Sequence, residues 1–126
     1  MKKIILTDKA PAPIGPYNQA VLTGNTLYTS GQIALHPETG ELITDDIETE
    51  TKQVMENMKA VLEAAGMTFE NVIKTTIFIS DMNDFAKING VYGSYFNEKT
   101  APARETVQVA KLPKNVNVEI SMIAVL

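Results

Sequence analysis

Two periods run through the chain, and together they divide it into elements. Residues 3–6 read as a short first strand. Residues 18–23 and 26–33 alternate around Gly24-Asn25, a dipeptide tolerant of positive φ, as the two strands of a hairpin do. Between the first strand and this hairpin, Pro11, Pro13, Gly15 and Pro16 make a stiff connector that either holds Tyr17 in a fixed place or only spaces two strands. The period then becomes helical. Ile47, Val54, Met58, Val61, Leu62 and Ala65 share one stripe, Asp45 with Glu48 resembles a capping box, and Gly66 supplies the stop. Met55, Met58 and Met67 read as core gap-fillers. Residues 72–80, with Thr75, Thr76, Ile77, Phe78 and Ile79 in succession, are the most strand-like run and are expected at the centre of a sheet. Asp81 to Asp84 then caps a second helix with the stripe Phe85, Ile88, Tyr92, Tyr95 and Phe96. Gly90 and Gly93 weaken this helix and are expected to pack closely on the sheet. Alternation resumes at Arg104, a turn follows at 111–115, and residues 116–125 form the last strand.

Strand, hairpin, helix, strand, helix, strand, strand predicts an α+β fold: a single mixed sheet of about six strands with two helices on one face. The strand-helix-strand passages require parallel pairs with right-handed crossovers. No repeat, linker or low-complexity tract interrupts the 126 residues, so 1–126 is expected to be a single domain.

Composition narrows the chemistry. The absence of cysteine removes disulfides, thiolate nucleophiles and zinc-thiolate sites. With His36 the only histidine, and placed in a turn, no metal site or histidine acid/base pair is expected. A net charge of −4 gives no global field for nucleic acid. The first residues contain too short an apolar run for a secretory leader and nothing approaches a membrane span, so the expected location is the cytoplasm. No Gly-rich phosphate loop is present, and no cofactor is expected.

What remains is a constellation around Pro102-Ala103-Arg104-Glu105-Thr106. Arg104 is a planar, permanently charged fork that can hold a carboxylate with two parallel hydrogen bonds, or it is a solvated surface arginine. In the last strand Val118, Ile120 and Met122 share one side, and Asn117, Glu119 and Ser121 the other. If Val107, Val109 and the last strand's apolar side face the helices, the uncovered sheet face carries Arg104, Thr106, Glu119 and Ser121. That grouping is either a structural ion pair or an anion-and-water site. Ser30-Gly31-Gln32 marks either a close backbone approach or a bulge. Asn89, beside the helix stripe, is either core-edge polar or reaches a site. An uncovered sheet face with apolar residues also predicts self-association.

The segments Ile14-Gly15-Pro16-Tyr17-Asn18-Gln19-Ala20, Ser30-Gly31-Gln32-Ile33, Lys74-Thr75-Thr76-Ile77-Phe78, Pro102-Ala103-Arg104, Val109-Ala110-Lys111-Leu112-Pro113 and Val118-Glu119-Ile120 resemble the RidA (YjgF-type) reactive intermediate/imine deaminase family over essentially the whole chain. The resemblance implies a chorismate-mutase-like fold, a homotrimer with sites in the clefts between subunits, and hydrolysis of enamine/imine intermediates such as 2-aminoacrylate to 2-keto acids and ammonia. It implies that Arg104 grips the substrate carboxylate and that Glu119 lies near the hydrolytic water. Thr106 stands where relatives often carry cysteine or threonine, and Tyr17, Ser30, Gly31 and Asn89 match positions lining the cleft. Glu105 departs from the family, in which a small residue usually follows the arginine; alternation points it away from Arg104. The competing readings are a non-catalytic, ligand-binding or chaperone-like trimer and, against the acidic balance, an endoribonuclease or translation inhibitor.

Overall fold

A computed structural model describes residues 1–126. The strands are β1 (Lys2–Ile5), β2 (Ala20–Thr23), β3 (Thr26–Thr29), β4 (Val72–Ile79), β5 (Ala103–Gln108) and β6 (Val118–Val125), and the helices are α1 (Ile47–Ala64) and α2 (Phe85–Gly93). They form one six-stranded sheet in the order β1-β2-β3-β6-β4-β5. Only β4 and β5 pair in parallel; the other neighbours are antiparallel. The strand at 72–80 is therefore interior, as its composition predicts, and the last strand lies between the hairpin and β4. No helix is long and apolar enough to cross a membrane.

Helix α1 begins one residue later than the sequence pattern suggests. Asp46, not Asp45, is the N-cap: its Oδ1 accepts from the Thr49 N–H at 2.8 Å. The expected Asp45/Glu48 box is replaced because Asp46 has the extended backbone (φ −148°) that a cap requires. At the other end Gly66, at φ +73°, closes a Schellman motif in which the Met67 N–H reaches the Leu62 carbonyl at 2.9 Å and the Gly66 N–H the Glu63 carbonyl at 2.9 Å. Between these ends Val54, Met55, Met58, Val61 and Leu62 are wholly buried. They pack with Leu27, Ile77, Ile79, Val118, Ile120 and Met122 of the sheet, and each such side chain contributes roughly 1.5–3 kcal/mol of transfer free energy. The methionines at 55, 58 and 67 fill this core as expected.

Helix α2 is shorter than its aromatic stripe. Phe85, Ile88 and Tyr92 lie within it, whereas Tyr95 and Phe96 follow in the next turn and pack edge-on against Phe69, with ring centroids 5.3 Å apart. Gly90 and Gly93 do not touch the sheet; a Cβ built on either meets nothing within 4 Å. They face outward, which corrects the expected close packing.

The side chains of β5 lie on the opposite faces from those expected. Arg104 pairs in register with Thr75 and Thr106 with Ile77, both buried beneath the helices. Arg104 and Thr106 therefore belong to the helical face, while Val107 stands 43% exposed on the uncovered one. In β6 the expected alternation holds: Val118, Ile120 and Met122 are buried, and Glu119 and Ser121 point away from the helices. Burial does not decide the faces of β5 because β5 is an edge strand. At an edge the helical face is the rim of the core, where polar residues are tolerated.

Candidate active site

Two clusters of polar side chains arise from these placements, one on each face of the sheet. The first is built around Arg104. Its guanidinium carbon lies 5.3 Å from the Tyr92 ring centroid and 5.5 Å from that of Phe85, and its Nη1 donates to Asn89 Oδ1 at 2.5 Å. Phe85, Asn89 and Tyr92 stand at i, i+4 and i+7 on one face of α2, so a single helix supplies the whole cradle. Two residues along the strand, Thr106 presents a buried hydroxyl with no hydrogen-bond partner in the chain. A buried unpartnered hydroxyl is costly, and such a group ordinarily meets water or a ligand. Glu105 does not compete for Arg104. It lies on the opposite face and pairs with Lys74 at 3.0 Å.

The second cluster is built around Glu119, which is paired with Phe78 on the uncovered face. Here the strand break at Ser30-Gly31 has its explanation. From the Tyr28–Ile123 pair to the Gln32–Ile120 bridge, the hairpin side advances four residues and β6 three, so one extra residue bulges out. The Thr29 hydroxyl accepts the Met122 N–H at 2.9 Å in place of a ladder bond. The bulge brings the Gly31 backbone against the Glu119 side chain. A Cβ at Gly31 would sit 2.5 Å from Glu119 Oε2. The bulge and the close approach, alternatives in the sequence, coexist, and this early break ends the strand at Thr29 instead of 33.

Glu119 borders a cavity of about 90 Å³ that is also lined by Tyr17, Gly31, Gln32, Lys114 and Gln19. Its carboxylate receives no hydrogen bond and no ion pair from the chain, and burial pushes its pKa above the ordinary value of 4.5. Those are the properties a general base needs: a free acceptor with raised basicity and access to a small space. Tyr17 lines the same cavity, and its hydroxyl accepts from the Ile14 N–H of the proline-rich connector at 3.4 Å. That connector is itself tied down by Gln19, wholly buried, whose amide accepts from the Thr7 N–H at 2.7 Å and donates to the Thr7, Ala10 and Pro11 carbonyls. The Ser30 hydroxyl is already committed to the Asn18 carbonyl at 2.5 Å.

Of the residues singled out from the sequence, Arg104, Asn89 and Thr106 thus come together on the helical face, and Glu119, Gly31 and Tyr17, with Ser30 beside them, at the uncovered one. The two sets do not meet within one chain. Phe85, Tyr92, Gln19 and Lys114 were not singled out. Phe85 and Tyr92 look like ordinary core stripe, although an asparagine set between two aromatics at helical spacing was a usable signal. Lys114 lies in the left-handed region (φ +56°), which no feature of Leu112-Pro113-Lys114-Asn115 announces. No group of three or more His, Asp or Glu side chains is placed to hold a metal ion.

This architecture, six strands with two helices on one face and small polar clusters at the sheet, falls in a recognised class: the profile of the family described as Endoribonuclease L-PSP matches residues 7–126. The chain belongs to that family, the RidA (YjgF-type) family. It is 56% identical over 125 residues to the RutC family protein slr0709 of Synechocystis, covering 98% of this chain and 96% of that one. It is 49% identical over 127 residues to the 2-iminobutanoate/2-iminopropanoate deaminase of Escherichia coli, covering 99% and 98%. Among solved structures, E. coli TdcF with bound serine superposes with a TM-score of 0.92 at 49% identity, covering 98% of each chain. RidA from an Antarctic Psychrobacter superposes with a TM-score of 0.94 at 46% identity, covering 98% and 99%.

Proposed function

We propose that three copies of this chain associate through their uncovered sheet faces and that the Arg104 cluster of one copy faces the Glu119 cavity of the next, forming a composite site that hydrolyses 2-imino acids to 2-keto acids and ammonia. The observation that carries this reading is the division of the site. A prearranged cation and an unpartnered, half-buried carboxylate lie on opposite faces of one sheet, so a second copy is needed to bring them together. Tyr28, Val107 and Ile4 leave apolar surface exposed on the uncovered side, and association would remove it from water. The deaminase name of the E. coli relative supports the reaction class.

In this site Arg104 holds the substrate carboxylate and so fixes C2 of the imine. Glu119 takes a proton from water as the water oxygen attacks C2 of the protonated imine, and the C=N double bond becomes a single bond. Glu119 then passes that proton to the amine nitrogen. The C2–N bond breaks and frees ammonia as the hydroxyl proton passes to Glu119, and the departing ammonia takes that proton, so that the keto acid and ammonium leave with Glu119 ionised again. An imine carbon is already electrophilic, so a single positioned base, contributing about 10²–10⁴-fold, together with carboxylate clamping is enough. Thr106 and the cavity-lining Tyr17 and Gly31 bound the space for substrate and water, and Ser30 and Asn89 hold its walls.

The test is turnover of 2-aminoacrylate generated in situ by a serine dehydratase, followed as pyruvate and ammonia. Glu119→Gln keeps the shape and removes the basicity, and is expected to lower turnover by about 10²-fold or more while pyruvate binding persists. Unchanged turnover in this variant would move water activation away from Glu119. Absence of turnover in the parent protein with carboxylate binding intact would make the protein a ligand-binding regulator.

A further inference from the structure

The lone arginine is held by more than the asparagine that bonds it. Arg104 is the only arginine in the chain and sits exposed on an edge strand, where a long side chain ordinarily samples many rotamers. Here three residues of α2 restrict it. The Phe85 ring, centred 5.5 Å from the guanidinium, is only half-buried at the rim of the core, and Asn89, which accepts from Nη1, is exposed. Tyr92 is different. Only 5% of it is exposed, and its hydroxyl shares a 2.8 Å hydrogen bond with the Thr75 hydroxyl, itself wholly buried. Thr75 is the β4 residue in register with Arg104. The strand neighbour of the arginine thus locks the ring on which the arginine lies.

We propose that Tyr92, locked by Thr75, is the positioning residue that sets the plane of the Arg104 guanidinium and leaves its Nε/Nη2 edge free for side-on, two-bond capture of a carboxylate. This inference rests on the reading of Arg104 as the carboxylate clamp. Asn89 takes only Nη1, and no other hydrogen bond or ion pair within the chain engages the guanidinium. A flat ring fixed at both ends of its own contact, hydroxyl in the core and face at the cation, restrains tilt, which a single hydrogen bond to Asn89 Oδ1 does not. The arrangement favours planar, two-oxygen anions and disfavours ligands that offer the arginine only one acceptor.

Because the chain has a single arginine, its side-chain N–H signals in a ¹⁵N NMR spectrum belong to Arg104 without ambiguity. The protein is compared with Tyr92→Leu, which removes the ring, and with Thr75→Val/Tyr92→Phe, which removes both hydroxyls without leaving either one orphaned. In the parent, restricted rotation should give resolved Nη signals. In Tyr92→Leu these should average, the Kd for pyruvate should rise by about tenfold or more, and KM should follow with kcat changed by less than about threefold. The double variant should keep its fold and assembly yet show broadened Nη signals and a Kd raised by about threefold. A purely structural role would lower the melting temperature and leave these signals and Kd alone. Resolved signals and a pyruvate Kd within about twofold of the parent in folded Tyr92→Leu overturn the proposal. If that variant does not fold, the same outcome in the double variant overturns it. Averaged signals in the parent also overturn it. A parent that binds pyruvate but releases no ammonia removes the deaminase reading and leaves the positioning inference to be decided by Kd and NMR. Arg104→Ala binding pyruvate like the parent removes the clamp and this inference together.

Discussion

Adding one methyl group at Gly31 should separate folding from catalysis. The new Cβ would lie 2.5 Å from Glu119 Oε2, 2.8 Å from Cδ and 2.9 Å from Cγ, all closer than a carbon can approach without displacement. The obstacle is the end of one flexible side chain, not backbone, and Gly31 does not occupy the left-handed region, so alanine fits its backbone. Glu119 must therefore swing away. An off-rotamer shift costs about 0.5–1.5 kcal/mol, while replacing glycine restricts the unfolded chain and stabilises by about 0.4–1 kcal/mol. The two nearly cancel, and the melting temperature should move by less than about 5 °C. Turnover has no such compensation. A displaced base forfeits its share of the rate, about 10²-fold or more, equivalent to about 2.7 kcal/mol of barrier. Circular dichroism and light scattering establish that Gly31→Ala is folded and assembled as the parent is; the pyruvate assay then reads kcat. A folded Gly31→Ala with parental kcat would refute the argument that Glu119 acts from the position seen here.

Arg104→Lys keeps the charge and loses the fork, so most activity should go, and Arg104→Ala should lose about 30- to 1,000-fold, corresponding to about 2–4 kcal/mol for a charge-assisted pair; KM measurements with 2-aminoacrylate check both. Glu119, whose carboxyl is raised above 4.5 by burial, adds stability at pH values below that ordinary value and loses the contribution as pH rises through its folded pKa. Melting curves should accordingly show Glu119→Gln gaining on the parent at pH 7.5, with the gain gone near pH 4. Light scattering should return a mass about three times the 13.8 kDa of one chain, in keeping with a closed cyclic assembly; a monomer at micromolar concentration would contradict the composite site.

The elements were legible because their signals are local. The helical stripe of α1, the glycine that ends it and the strand run at 72–79 each depend on neighbours in sequence, and each appears within a residue or two of its expected place. The faces were less legible. Period two says which residues share a side but not which side the helices cover, and in the edge strand β5 the valine at 107 faces outward while the charged Arg104 faces α2. Asn89, beside the helix stripe, reads as a residue that can reach a site, yet the aromatic cradle around it looks like core because Phe85 and Tyr92 serve both purposes. Gln19 and Lys114 act through the path of a loop, and loop paths depend on distant contacts such as the four hydrogen bonds of Gln19. The Glu105 departure from the family pattern was resolved by alternation alone: it faces Lys74.

The division of the site between copies is the central claim, and subunit mixing tests it most directly. Arg104→Ala and Glu119→Gln are each expected to be nearly inactive alone. Each site in a cyclic assembly would take Arg104 from one copy and Glu119 from its neighbour, so unfolding and refolding an equal mixture should restore about one quarter of the parental sites. Recovery near that level supports the composite site. Mixed assemblies that form, as judged by mass spectrometry of tagged chains, yet remain as inactive as either variant would contradict it.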